Sequence, residues 1–233
     1  MIKLYQFNPA WGLPNPSPFC MKVETYLRMV NIPYEVINGA LPLKGPKKKL
    51  PYLEDGPRTI GDSGFIVEYL NKTYGTNLDA NLSSSEQAMA HALRRTMEES
   101  LYWAVLYSRW VEESIWPETR RLFFVAIPPI IRNLVSSQVK KGIRKALYLQ
   151  GTGRHSRDEI YDMGKADLSA LSVWLGEKSY LMGNAATSVD ATAYAFLANI
   201  LVPPLESPLK DHGLSLGNLL PYCERMKAKF YGC

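Results

Sequence analysis

A chain of 233 residues, 46% hydrophobic and 21% charged, can bury a sizeable core, which excludes a disordered polypeptide and fits one or two globular domains. The formal net charge of +5 is a mild surplus, read first as a solvated surface rich in lysine. The longest apolar run, residues 122–131, is interrupted by Pro128 and Pro129, so no transmembrane segment is expected; the N-terminus lacks the charged leader and apolar stretch of a signal peptide.

Ile2 to Phe7 alternates apolar and other residues and is expected to be a strand. A Pro/Asn/Gly-rich loop follows. Ser17 and Pro18 then supply an N-cap and a first-turn proline for a helix from Pro18 to about Val30. Tyr34–Ile37 reads as a second strand, parallel to the first because a helix intervenes. After a Pro/Gly/Lys-rich loop, Tyr52–Glu54 and Arg58–Ile60 form a hairpin about Asp55-Gly56-Pro57. Asp62 and Ser63 open another helix carried by Ile66, Val67 and Leu70. The order β-α-β, link, β-β-α is a thioredoxin-like arrangement.

Residues 77–85 are polar and read as a linker, and only helical periods follow. One long helix is expected from Glu86 to about Ile115, and a second region from Glu118 to Gln150 is broken at Pro128-Pro129. Ser156 and Glu159 give a capping-box signature for a helix that buries Ile160, Met163, Leu168, Leu171 and Trp174. Thr187 and Asp190 frame a nearly all-apolar helix through Leu201, and a last helix follows Asn218.

Cys20, Cys223 and Cys233 are odd in number and far apart, which argues against a disulfide framework and for a reducing, cytoplasmic setting. His91, His155 and His212 are equally scattered, so no metal site is expected.

Four features of the first half carry chemistry. Ser17-Pro18-Phe19-Cys20 stands at a helix N-terminus, where unpaired amides and the dipole favour an anion. A free thiol, with a pKa of about 8.5, is only slightly ionised at neutral pH, so a hydroxyl there could favour a thiolate; plain N-capping is the simpler role. Lys49-Leu50-Pro51-Tyr52-Leu53 puts a proline at a strand start, and Asp62-Ser63 caps the second helix. Lys44, Lys47, Lys48 and Lys49 crowd one loop, a run that is ordinarily just solvated.

Ser17-Pro-Phe-Cys resembles the Cys-Pro-Phe-Cys motif of glutaredoxins, with serine for the leading cysteine. It also resembles the active-site serine or cysteine of glutathione transferases. Thr187-Ser188-Val189-Asp190 is similar to the N-capping box in the C-terminal domain of that family. The run Ser17 to Arg28, with Gly151 to Ser156, Ser188 to Thr192 and Ser207 to Lys210, looks like the failed-axon-connections and metaxin-like branch, especially its bacterial members. The similarity spans nearly the whole chain.

The resemblance implies a thioredoxin-like α/β N-terminal domain, residues 1–76, and an all-α C-terminal domain, residues 84–233. It implies glutathione as co-substrate. Ser17 would stabilise its thiolate, Leu50 and a cis Pro51 would present backbone to its cysteinyl part, and Ser63 and Asp62 would hold the γ-glutamyl carboxylate and ammonium. Lys49 would meet the glycine carboxylate, and Cys20 would be a packing residue. An apolar electrophile would bind between the domains against Trp11, Phe19, Trp103, Tyr107 and Trp110. The last three share one helical face, a stripe that suits a core equally well.

Residues 132–157 are rich in Arg and Lys, and Val135, Val139, Ile143 and Leu147 give that helix an apolar face. Such a helix can dock by its stripe or make peripheral contact with a membrane. The family implies a homodimer and a role in detoxification; nucleic-acid binding rests on the net charge alone, so no nucleic-acid partner is expected. The branch implies an alternative, a non-catalytic metaxin-like binding or assembly module of the same fold.

Overall fold

The following description rests on a computed structural model in which residues 1–232 are described; Cys233 lies outside the described residues. Ile2 and Leu4 point to one side of strand β1 (Ile2–Tyr5) and are buried, as period-two patterning requires. Ser17 caps helix α1 (Pro18–Met29) with Pro18 in its first turn. Strand β2 (Tyr34–Ile37) returns parallel to β1, and β3 (Tyr52–Asp55) and β4 (Arg58–Gly61) form a hairpin across Gly56-Pro57. Among the described residues these strands make one sheet in the order β2-β1-β3-β4, with β3 antiparallel to both neighbours. Helix α2 (Ser63–Tyr74) follows β4 and ends at Gly75, whose φ of 66° favours glycine.

Among the described residues every later element is a helix: α3 (Ser84–Arg95), α4 (Tyr102–Trp110), α5 (Trp116–Phe124), α6 (Pro129–Gln150), α7 (Arg157–Leu175), α8 (Ser188–Leu201), α9 (Pro208–Ser215) and α10 (Leu219–Tyr231). The fold is therefore a thioredoxin-like α/β region followed by an all-α region.

Three sequence expectations change. The long helix expected to reach Ile115 contains a π-helical turn at Thr96–Leu101 and stops at Trp110, where the amides of Val111 and Glu112 both fold back to the Tyr107 carbonyl. Met163 is exposed, whereas Ile160, Leu168 and Leu171 are buried. On α6, Ser136 and Leu147 are buried, Arg132, Val135, Lys140 and Ile143 are half-buried, and of the expected apolar face only Val139 is exposed. Lys140 serves inside because its stem is apolar and its ammonium lies over the Trp116 ring while pairing with Glu113.

The described residues pack as two units. One holds residues up to Arg94, Trp174–Pro203, and those from Gly217 onward; the other holds Arg95–Val173 and Pro204–Leu216. The first unit thus contains the sheet, α1, α2, α8 and α10. Its centre is the packing of α1 on α8, which is buried almost all round. Asp190 anchors the start of α8: Thr187 donates to it from both backbone and hydroxyl, Leu181 from its amide and Tyr222 from its phenol. The polar linker is tied to the same end, since Asp79 accepts from the Ser188 amide at 2.8 Å.

Candidate functional site

The strand register brings three distant segments to one edge of the sheet. Tyr5 pairs with Tyr52, and Tyr52 pairs with Gly61. The last residue of β1, the first of β3 and the last of β4 therefore lie in one row. The chain leaves β1 there toward Ser17, enters β3 there from Pro51, and leaves β4 there into Asp62. All three belong to the first unit. Both helices that start near this edge, α1 and α2, begin with an oxygen-bearing cap.

At the first cap, the half-buried Ser17 accepts a hydrogen bond from the Cys20 amide at 3.4 Å. Its own amide donates to Asn15 Oδ1 at 3.0 Å. Asn15 is fully buried and donates from Nδ2 to the Phe7 carbonyl at 2.7 Å. Asn199 of α8 donates in turn to the Asn15 carbonyl at 3.2 Å. The loop that presents Ser17 is thus held from β1 on one side and α8 on the other. Sequence reading passed over Asn15 and Asn199, since each acts through a partner distant in the chain.

Cys20 lies behind Ser17. Burial pushes its thiol up to about 12, although hydrogen bonding with Ser17 and with the Phe7 backbone pulls the other way. It is a free, fully buried cysteine that stays protonated at neutral pH.

At the second cap, Asp62 takes φ 87° and ψ 127°, a region a residue with a Cβ rarely enters. Its Oδ1 accepts from the amides of Gly64 at 2.9 Å and Phe65 at 3.4 Å, and the side chain is exposed. Ser63, next in line, is buried, and its Oγ accepts from Lys22 Nζ at 3.3 Å. Lys22 comes from α1 and is only 2% exposed. A second cation stands nearby: a Cβ on Gly64 would lie 3.6 Å from Arg94 Nη1. Sequence reading singled out neither Lys22 nor Arg94. Lys22 bears a hint, a lysine in the middle of an otherwise apolar helix face, and Arg94 bears none.

The loop between β2 and β3 delivers the third segment. The Leu50–Pro51 bond is cis, the isomer the resemblance implies. Pro51 is buried, Leu50 is half-buried and Lys49 is exposed. Of the other loop lysines, Lys48 donates to the Leu43 carbonyl and Lys47 lies over the Phe65 ring.

The five aromatic residues divide between the units. In the first, Phe19 meets Phe196 edge-on at 5.5 Å, and Trp11 sits in a turn at φ 54°. In the second, Trp110 packs among Trp116, Phe123 and Phe124, Tyr107 meets Tyr161 edge-on, and Trp103 meets Tyr102. Trp110 thus joins an aromatic cluster of the second unit. No group of acidic, histidine and cysteine side chains that could hold a metal ion occurs among the described residues.

The glutathione S-transferase N-terminal domain family matches residues 18–115, and the C-terminal domain family matches residues 164–226. An isoprene-epoxide–glutathione S-transferase of Rhodococcus is 34% identical over 99% of this chain and 99% of its own length. The chain belongs to the glutathione S-transferase family. Within that family it is also similar to Failed axon connections of Drosophila melanogaster, at 31% identity, and to human metaxin-1, at 27%. It aligns over 99% of its length with each but spans 58% and 51% of theirs. Among solved structures, a glutathione S-transferase from Methylobacterium radiotolerans in complex with glutathione sulfonate has a TM-score of 0.65 at 15% identity, covering 99% of this chain and 92% of that one, a likeness of fold.

Proposed function

We propose that this chain is a glutathione transferase that joins the thiol of glutathione to a small apolar electrophile, with a strained epoxide as the leading class. The observation that carries the reading is the α2 end. An exposed carboxylate at Asp62 stands at a helix start beside a buried hydroxyl and two cations. That set suits the zwitterionic γ-glutamyl end of glutathione: Asp62 for its ammonium, and Ser63, Lys22, Arg94 and the helix for its carboxylate. Pro51 and Leu50 enter the same sheet edge and would offer backbone to the cysteinyl part, with Lys49 near the glycine carboxylate.

Ser17 would then donate its hydroxyl hydrogen to the sulfur while still accepting from the Cys20 amide, a double role a hydroxyl can fill. Its support favours the thiolate over the thiol. As a C–S bond forms, a C–O bond of the epoxide breaks, and the released alkoxide takes up a proton. The epoxide class is supported by the name of the Rhodococcus relative. Trp11 and Phe19, the aromatic side chains of the first unit on the loop and helix that carry Ser17, stand as proposed contacts of the apolar electrophile. The buried thiols of Cys20 and Cys223 suit the reducing, cytoplasmic setting the reading assumes.

Calorimetric titration with glutathione tests the reading. Saturable heat is expected from the unaltered protein and a large loss of affinity from Asp62→Ala. Ser17→Ala should keep binding and lose about tenfold to a hundredfold in kcat/KM toward an epoxide, as expected for one hydrogen bond to a charged sulfur. No heat at millimolar glutathione would overturn the transferase. The similarity to metaxin-1 favours the second reading in that event, a binding or assembly module.

A further inference from the structure

We propose that the outward face of α6 is a docking surface for an anionic lipid bilayer. Ile130, Leu134, Lys141, Lys145 and Tyr148 recur at helical spacing along the side opposite the buried Ser136 and Leu147. Ile130 is 94% exposed, Leu134 64% and Tyr148 57%. Ile131 and Leu149 flank this stripe and are exposed as well. An apolar row of this length on a water-facing helix calls for an occupant.

Charge identifies it. The 22 residues of α6 include no Asp or Glu. Lys140 and Arg144 are both matched by Glu113, whereas Lys141 and Lys145 have no acidic partner among the described residues. The face therefore presents large apolar side chains at both ends and unmatched ammonium groups between them, the composition of a helix lying in the interface of an acidic membrane. At about 1.5 Å per residue it is about 33 Å long and can lie flat along its whole length. Among the described residues no single helix is long and apolar enough to cross a membrane; α5 and α6 pass that test only together, and they are bent by 120° at their junction, which suits an in-plane wedge. Val125, at that junction, is 65% exposed. A second copy of the chain is a poorer occupant, because two-fold pairing of this face would bring its lysines against one another.

Vesicle co-sedimentation of the full chain tests this independently of glutathione. Vesicles of equal phosphatidylcholine and phosphatidylserine should pellet the protein, vesicles of phosphatidylcholine alone should not, and added salt should release it. Ile130→Glu with Leu134→Glu, and separately Lys141→Glu with Lys145→Glu, should each weaken the association about tenfold or more. All four side chains are exposed, so unchanged thermal unfolding of the variants is the folding control. Equal pelleting with both vesicle types, or full binding by both variants, would overturn the proposal. So would a dimer in sedimentation equilibrium that the Ile130/Leu134 variant abolishes while neither protein binds vesicles, since the face would then belong to a second copy.

Discussion

Lys22 is the side chain with most at stake. A charged group so deeply buried is retained only where its hydrogen bonds repay the lost hydration, and one of those bonds goes to Ser63 at the α2 cap. Lys22→Met should lower glutathione affinity about tenfold or more, as expected for losing a charge-assisted contact. The thermal midpoint, measured alongside, separates this from a folding defect. Asp62 permits a similar separation. Asp62→Asn keeps an oxygen to cap α2 but removes the charge, so calorimetry should find it nearly as weak as Asp62→Ala, while chemical unfolding finds only Asp62→Ala destabilised, by about 1 kcal/mol. Cys20, pushed up to about 12 by burial, should resist iodoacetamide at pH 8 in the folded protein and react once unfolded, as mass spectrometry of the labelled peptide would report.

At the scale of elements, the loop into β3 depends on Gly45. A Cβ there would lie 2.5 Å from the Lys49 carbonyl oxygen and 3.0 Å from the Tyr52 ring. Backbone cannot yield as a side-chain tip can, so Gly45→Ala should cost about 1–3 kcal/mol in urea unfolding and weaken glutathione binding by displacing Lys49 to Pro51. How legible such elements are follows from how local their causes are. Ser17-Pro18 announces α1 within a few residues, and the same Ser-Pro signature at Ser207-Pro208 opens α9, an element the periodicity reading left out. The capping boxes at Ser156/Glu159 and Thr187/Asp190 were legible for the same reason. By contrast, the π turn at Thr96–Leu101 has no local signature, and the inward face of α6 turns on Trp116 receiving Lys140 from a different helix. The caps of the candidate site could be read. The Lys22–Ser63 bond could not, because it joins positions 41 apart through packing alone.

Across the whole molecule, ligand binding and stability are linked. Glutathione at about a hundred times its dissociation constant should add about 2.7 kcal/mol to the folded state, which for a chain of this size raises the melting temperature by several degrees. Thermal scans with and without glutathione should display that rise for the unaltered protein and not for Asp62→Ala.

Within the first unit, α1 is also tied to the last turn of α10. Arg28 of α1 lies over the Tyr231 ring at 4.2 Å and donates to the Phe230 carbonyl, and Thr25 shares a hydrogen bond with the Tyr231 hydroxyl. During synthesis, the helix that begins at Ser17 therefore waits, with one flank uncovered, until α10 has cleared the ribosome. Chains halted before Leu219 would expose that flank to chaperones and proteases, however complete the sheet beneath it.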